Sequence, residues 1–423
     1  MIQTNRKVSF FTLGCKLNFS ETSTIARMFS ERGFTKTDFH SQAEICVVNT
    51  CTVTETAEKK SRQAIHKVFK QFPDTKIIVV GCYSQLQIEE IKNIEGVTLV
   101  LGSNEKFKIF DYLDSLEKPR NENLEFISAY SSGDRTRSFL KIQDGCDYQC
   151  SYCTIPFARG KSRSDKIENI IEKVKKITEN GYKEIILTGV NIGTFGQDGE
   201  SFYKLVNALE EMENQFRIRI SSIEPNLLLY EIIEIVANSQ KFVPHFHIPL
   251  QSGSNEILRK MKRRYRCETF IDKCVNIKEL MPDAFIGVDV LVGFPSESEE
   301  DFLETFNVLK SLEVSFLHIF PYSERPNTDS VNIFPKISAK ESMLRCKKLQ
   351  ALSQQKHLEF YKKHLGTERI VLFESQRKKE KMFGFTENYI KTSIPYNEKL
   401  ENQFVKVKLL SISDDFSVKV KII

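Results

Sequence analysis

Short apolar runs separated by stretches with apolar residues three and four apart occupy most of the chain, and strict apolar–polar alternation replaces them near its end. Through residue 130, Val8 to Leu13, Ile45 to Val48, Ile77 to Val80 and Val97 to Leu101 read as strands, with Glu55 to Phe72 as a helix between two of them. A continuous apolar run bounded by turn residues suits a strand buried on both faces, so residues 1–130 are expected to form an open parallel-sheet α/β domain. Over 131–335 the alternation repeats: strands are expected at Phe139 to Ile142, Glu184 to Thr188, Ile218 to Ser221, His245 to Ile248, Gly287 to Val292 and Ser315 to Phe320, and a helix at Lys166 to Asn180. That repetition predicts a partial or complete parallel α/β barrel with its site among the loops that follow the strands. Lys336 to His364 carries apolar residues at helical spacing before Gly366, giving a basic helical connector over 336–367. The runs RIVLFES, MFGFTENYIKTSI, FVKVKLLSI and FSVKVKI then alternate as antiparallel strands do, which predicts a small β-barrel over 368–423.

Composition narrows the class. A chain of 423 residues that is 40% hydrophobic can bury a core in each of several domains. No apolar run approaches the roughly 20 residues that cross a bilayer, and the start MIQTNRKVSFF lacks a signal peptide's apolar stretch, so the expectation is a cytoplasmic protein with no membrane partner. Ten cysteines are too sparse for a disulfide scaffold, and clustered ones point to metal ligation. The net charge is only +5, but Lys336 to Lys381 holds 13 basic against 5 acidic residues. This asymmetry suits a polyanion contact and suits a solvated helix face equally well. RKMKRRYR, Arg259 to Arg266, is the densest basic run, with Arg263 and Arg264 as candidate phosphate contacts.

The cysteines carry the chemistry. Cys15, Cys51 and Cys82, in TLGCK, NTCTVT and VGCYS, each fall just past one of the first three expected strands. Loops at the carboxyl edge of a parallel sheet converge on a crevice, so three thiolates distant in sequence can meet there. Cys46, Cys267, Cys274 and Cys346 lack such contexts and read as packing or surface thiols. In FLKIQDGCDYQCSYCTIPFARG, Cys146, Cys150 and Cys153 form a CxxxCxxC motif after a strand. Thiolates are soft ligands that suit iron, and three of them leave one iron of a cubane cluster open. Structural zinc generally takes four ligands, and this loop offers no fourth Cys or His. Tyr148, Tyr152, Ile155 and Phe157 supply apolar surroundings that could limit solvent and serve equally as core packing.

On these motifs, the chain resembles the methylthiotransferase branch of the radical S-adenosylmethionine enzymes over essentially its full length. The resemblance implies a [4Fe-4S] cluster on Cys146, Cys150 and Cys153 whose open iron chelates S-adenosylmethionine for reductive cleavage to a 5'-deoxyadenosyl radical. It implies a second [4Fe-4S] cluster on Cys15, Cys51 and Cys82, where a sulfur is methylated before transfer to the target carbon. Cofactor contacts are expected from Gly189 and Asn191 in TGVNIG, Glu224 in SSIEP, and Gln251 and Ser252 in HIPLQSGS. The terminal module resembles the TRAM RNA-binding domain, with Lys378, Lys379, Lys381, Phe383, Phe385 and Tyr389 available for phosphate attraction and base stacking. The implied partners are a tRNA anticodon stem-loop, a reducing electron donor and a sulfur donor. TLGCK and CDYQCSYCTIPFARG are most similar to the branch acting on N6-threonylcarbamoyladenosine. The alternatives are an isopentenyladenosine enzyme, a ribosomal-protein aspartate methylthiotransferase and a noncatalytic iron–sulfur RNA-binding protein.

Overall fold

The computed structural model describes residues 6–114, 126–133, 136–213, 215–378 and 380–423. Five strands, β1 (Lys7–Thr12), β2 (Thr35–Thr37), β3 (Ile45–Thr50), β4 (Lys76–Gly81) and β5 (Val97–Leu101), form a parallel sheet in the order β2-β1-β3-β4-β5. The continuous apolar runs arise because both faces are covered. Ile45, Val47, Ile78 and Val80 pack on one side with Ile25 and Phe29, and Cys46, Val48, Ile77 and Val79 pack on the other with Ile65 and Val68. Each such buried aliphatic side chain is worth about 1.5–3 kcal/mol. Helix α1 (Lys16–Glu31) begins directly after Cys15. Helix α2 (Glu55–Gln71) starts where Thr54 accepts a hydrogen bond from the Ala57 amide, and removing such a cap costs about 1 kcal/mol.

Six further strands, Ser138–Lys141, Glu184–Thr188, Arg217–Ile220, His245–Gln251, Phe285–Val292 and Phe316–Pro321, run parallel in two sheets. Isolated bridges Ile218 to Phe242 and Ser222 to His247 join the sheets. The result is the partial form of the expected barrel. The short strand Ala129–Tyr130 pairs antiparallel with Ser138–Lys141, and α1 docks there: the Ser23 hydroxyl accepts from the Ser132 amide at 2.9 Å and Arg27 donates to the Tyr130 carbonyl at 2.9 Å.

The basic stretch is one helix, Ala339–Lys363, laid against the barrel, with Cys346, Leu349 and Leu352 inside the barrel core. Part of its charge is structural: Arg345 pairs with Glu297 at 2.7 Å, and Lys356 donates to the Leu312 carbonyl at 2.6 Å. Beyond it, Glu368–Lys378, Lys381–Thr386, Lys391–Pro395, Phe404–Ile412 and Val418–Ile422 close a five-stranded barrel around Val371, Phe373, Met382, Val407, Leu409 and Val418. In Lys381–Thr386 the buried positions are Met382, Gly384 and Thr386, so Phe383 and Phe385 point outward. They line a cavity of about 380 Å³ together with Arg137, Phe139, Glu374 and Lys391. Lys379 and the side chain of Lys378 lie outside the described residues. Among the described residues, no helix is long and apolar enough to cross a membrane.

Candidate active site

The CxxxCxxC loop leaves the first barrel strand through Gln143 and Asp144. Gly145 (φ 73°) turns it, and a Cβ there would lie 2.0 Å from the Lys161 carbonyl oxygen, so only glycine fits. The loop folds back on itself: the Cys146 amide donates to Gly160 O at 3.0 Å, and Cys153 N to Cys150 O at 3.1 Å. Its middle is pinned to the HIPLQSGS side of the barrel, where Ser151 N donates to Met261 O at 3.1 Å and Ser151 Oγ to Lys260 O at 2.8 Å. All three cysteines are partly accessible and unbridged. Burial pushes the Cys146 thiol up to about 11 and Cys153 up to about 12, and in both neighbouring loop cysteines add to the rise. Ligation by iron is the chemistry that would deprotonate such a set.

Arg263 turns inward instead of toward a phosphate. Its side chain is 5% exposed, ion-pairs with Glu224, and donates to Cys150 Sγ at 3.2 Å. Of the basic run only part faces outward freely: Arg259 pairs with Glu256 at 2.8 Å and Lys262 with Asp329, while exposed Arg264 lies over the Tyr148 ring at 4.2 Å. Burial raises the Glu224 carboxyl and Arg263 opposes the rise, so the pair forms one wall beside Cys150. Phe157, expected to shield the loop, is 59% exposed and faces away from that role. Tyr152 packs among Ile257, Met261, Leu291 and Phe294.

Gln143 is a residue that sequence reasoning passed over. Its Nε2 donates to Gly145 O at 2.7 Å, and its Oε1 accepts from the amides of Val190 and Asn191, both at 2.9 Å. It thus ties the cysteine loop to TGVNIG. Gly189 is small to admit that clamp, since a Cβ there would come 2.7 Å from Gln143 Oε1. The expectation for Gly189 is a close backbone approach to a ligand, and the absent Cβ is also what makes room for Gln143. Asn191 is 5% exposed, yet both its amide atoms lack a partner, and an orphaned buried amide fits a site that receives a polar ligand. Gln251 ends its strand at φ 63° beside a register shift. Ser252 departs from expectation: it is fully buried, with its hydroxyl engaged by Thr305 at 3.2 Å and by the Ser254 amide at 3.2 Å, so it shapes the loop.

Cys15, Cys51 and Cys82 do converge at the carboxyl edge of the first sheet. A Cβ on Gly14 would lie 3.2 Å from Cys51 Sγ, and the Cys51 thiol, raised to about 12 chiefly by burial, is raised further by both Cys82 and Cys15. Arg159, six residues beyond Cys153 on the helix Ile155–Arg159, donates to Cys82 Sγ at 3.2 Å. It is 1% exposed and also pairs with Glu21 of α1 at 3.0 Å and with Asp144 at 2.8 Å. Lys106 and Lys141 share Glu21 at 2.5 and 3.2 Å, and Arg163 joins Asp144 at 3.3 Å. Burial would raise the Glu21 carboxyl, but Arg159, Lys106 and Lys141 overcome it and hold the group at about 2. Four buried cations thus surround two carboxylates, an excess that suits thiolate ligands beside them. The signal for Arg159 was present in the sequence, since it lies inside the CTIPFARG block. By contrast, Cys46, Cys267, Cys274 and Cys346 are all buried in hydrophobic clusters.

Residues 140–309 match the Radical SAM superfamily, and residues 7–102 match a family described as uncharacterized protein family UPF0004. The threonylcarbamoyladenosine tRNA methylthiotransferase MtaB of Bacillus subtilis (strain 168) is 40% identical over 421 residues, covering 95% of this chain and 93% of that protein. MtaB of Aquifex aeolicus (strain VF5) is 38% identical over 397 residues, covering 91% and 95%. A tRNA-2-methylthio-N(6)-dimethylallyladenosine synthase of Fusobacterium nucleatum is 31% identical over 425 residues, covering 96% and 97%. Among solved structures, the radical S-adenosylmethionine methyltransferase TsrM from Kitasatospora setae aligns over 77% of each chain with a TM-score of 0.57 at 13% identity, a likeness of fold alone. The superfamily implies a [4Fe-4S] cluster and S-adenosylmethionine, and the three loop thiols and the orphaned Asn191 amide fit those groups. With identity of this order along nearly the whole chain, the protein belongs to the radical S-adenosylmethionine methylthiotransferase family and is an enzyme of that class.

Proposed function

We propose that this enzyme converts N6-threonylcarbamoyladenosine beside the anticodon of tRNA into its 2-methylthio derivative. In this reading Cys146, Cys150 and Cys153 hold the cluster that binds S-adenosylmethionine, and Cys15, Cys51 and Cys82 hold a second [4Fe-4S] cluster. When bound, these groups supply a radical able to take the C2 hydrogen of the adenine ring and a sulfur to replace it. The observation that supports the two-cluster reading is Arg159, which follows the CxxxCxxC loop on the next helix and reaches Cys82 Sγ at 3.2 Å, so the segment after one cysteine set contacts a member of the other.

The chain's own residues prepare that space. Gln143 fixes the cysteine loop against TGVNIG. Asn191 offers a donor and an acceptor to the cofactor, and Glu224, oriented by Arg263, presents a carboxylate able to accept from ribose hydroxyls. Gln251 at its strand end stands on the same edge. The outward Phe383 and Phe385 beside Arg137 and Lys391 offer stacking and phosphate attraction to the RNA. A tRNA substrate puts the enzyme in the cytoplasm, with an electron donor and a sulfur donor as further partners. The threonylcarbamoyl substrate is favoured over dimethylallyl by the higher identity to the MtaB proteins.

The test is anaerobic turnover of matched stem-loops bearing threonylcarbamoyladenosine or isopentenyladenosine, each deuterated at C2, with the nucleosides resolved by mass. The expected outcome is methylthiolation of the threonylcarbamoyl substrate with deuterium transferred to 5'-deoxyadenosine. Preference for isopentenyladenosine would refute the substrate assignment.

A further inference from the structure

The lumen of the partial barrel holds a polar layer away from the cysteines. Phe246, Ile248, Val288, Val290 and Leu317 lie in the core shared with the surrounding helices, so their strand neighbours His247, Asp289 and His318 point the other way, into the lumen. Strand register sets Asp289 beside His318, and one polar side-chain atom from each of the three lies within 4.8 Å of the others. His247 and Asp289 keep 20% and 19% of their side-chain surface accessible on strands that are otherwise mostly buried. Two residues beyond Asp289, a rise of about 7 Å, Leu291 packs with Tyr152 of the cysteine loop. On the opposite side Phe285 and Phe316 belong to the core of the terminal barrel, which floors the lumen. Gly287 on the same face contributes no side chain, and a Cβ there would meet nothing nearer than 3.5 Å, so the layer borders open space. It is also reached from the edge of the sheet, where His318 lines a cavity of about 420 Å³ with Gln350 and Ser353.

The layer is largely unspent. His247 Nε2 is hydrogen-bonded to Asp289 Oδ1 at 2.7 Å, and the His318 ring stacks on His247 with centroids 4.9 Å apart. Among the described residues, the ring nitrogens of His318, Nδ1 of His247 and the second oxygen of Asp289 have no hydrogen-bond partner. Burial holds the His318 imidazole down at about 4, so it is neutral and offers one N–H and one lone pair. With His247 donating to Asp289, acceptors outnumber donors in what remains, which suits a ligand rich in N–H and O–H groups. Two imidazoles and a carboxylate are also a transition-metal set, but an ion would need both atoms of the bond that His247 and Asp289 already make.

Resting on the substrate reading above, we propose that His247, Asp289 and His318 form the specificity-determining site that receives the threonylcarbamoyl substituent through its N–H and O–H groups. In adenine, C2 and C6 flank one ring nitrogen, so the N6 substituent begins only a few ångströms from the carbon that reacts. A base whose C2 faces the cysteine loop therefore holds that substituent within reach of a layer about 7 Å further in. The ureido group and the hydroxyl supply the donors that the layer lacks, and a dimethylallyl group adds neither. Asp289 attracts the N–H side and repels the terminal carboxylate, which fixes the orientation of the substituent.

The experiment measures equilibrium binding of two stem-loops to the cluster-loaded enzyme, one with threonylcarbamoyladenosine and one with unmodified adenosine, and takes the ratio of their affinities. His318→Phe keeps a ring and removes its nitrogens, and Asp289→Asn removes the charge. Each is expected to lower the ratio roughly 10-fold, the worth of one or two hydrogen bonds. His318→Gln keeps one donor and one acceptor and should recover part of it. Iron per protein and the denaturation midpoint check the fold of each variant, and Asp289→Asn carries the test if His318→Phe fails that check. A ratio that stays at the wild-type value in folded variants, including an equal loss for both stem-loops, would overturn the proposal. An additional equivalent of Mn²⁺ bound by the wild type, seen by electron paramagnetic resonance and lost in both variants, would assign a metal site and overturn it too. A wild-type enzyme with no preference for threonylcarbamoyladenosine contradicts the substrate reading itself.

Discussion

Arg159 shows how much one side chain can settle. It spans the thiol of one domain and two carboxylates drawn from different parts of the chain, and no water can replace it at 1% exposure. Removing one member of a buried charge network costs about 3–5 kcal/mol, because its partners remain desolvated. Arg159→Met is therefore expected to lower stability by that order in denaturant titration and to reduce iron retained at the Cys82 site, while Arg159→Lys recovers charge without the forked geometry. An unchanged midpoint and iron content would remove the linking role. Arg263 teaches a second lesson at this scale. Six basic residues in eight looked like a phosphate patch, yet the third dimension turns this one onto Glu224 and Cys150, because a guanidinium beside a buried carboxylate gains more than one left in water.

At the level of elements, the loops matter more than the strands that carry them. The turn at Gly145 sets the exit angle of the cysteine loop, and added bulk there meets backbone oxygens at 2.0 and 2.6 Å that cannot yield like a side chain. Gly145→Ala should thus disrupt the Cys146 to Cys153 loop while the first sheet keeps its own core. On the proposed two-cluster reading, Mössbauer and iron analysis should show loss of the cluster on that loop with the cluster on Cys15, Cys51 and Cys82 retained, and 5'-deoxyadenosine formation should fall with it. Full iron content and normal cofactor cleavage in this variant would contradict the account. Strand positions were legible because two-faced burial demands continuous apolar runs. The role of Gly189 was not, since a glycine admitting Gln143 and a glycine admitting a ligand look alike in one dimension.

Across the whole molecule, the terminal barrel is docked onto the catalytic unit and not strung beside it. Arg217 donates to the Ile370 carbonyl at 2.8 Å, and Arg369 pairs with Asp283 at 2.6 Å. This places the outward Phe385 over the Arg137 guanidinium at 4.5 Å, on a cavity shared by both units. If RNA enters there, Phe385→Ala should weaken stem-loop binding by roughly 1–3 kcal/mol, the worth of one base on one aromatic ring. Cleavage of S-adenosylmethionine in the absence of RNA should persist. Titration of stem-loop binding at fixed salt, alongside 5'-deoxyadenosine assays, checks both halves, and unaltered RNA affinity would move the entry path elsewhere.

Sequence alone determined the elements and singled out the candidate ligands. Apolar periodicity is imposed by burial of each strand and helix, and thiols spaced CxxxCxxC after a strand carry their chemistry within one short loop. The tertiary structure decided everything that depends on partners distant along the chain. It chose the partial barrel, sent Arg263 inward, occupied Ser252, and left the Asn191 amide without partners. Whether a polar side chain is satisfied or available is a property of its neighbours in space, and those neighbours lie tens to hundreds of residues away, as with Arg159 and Cys82 at a separation of 77.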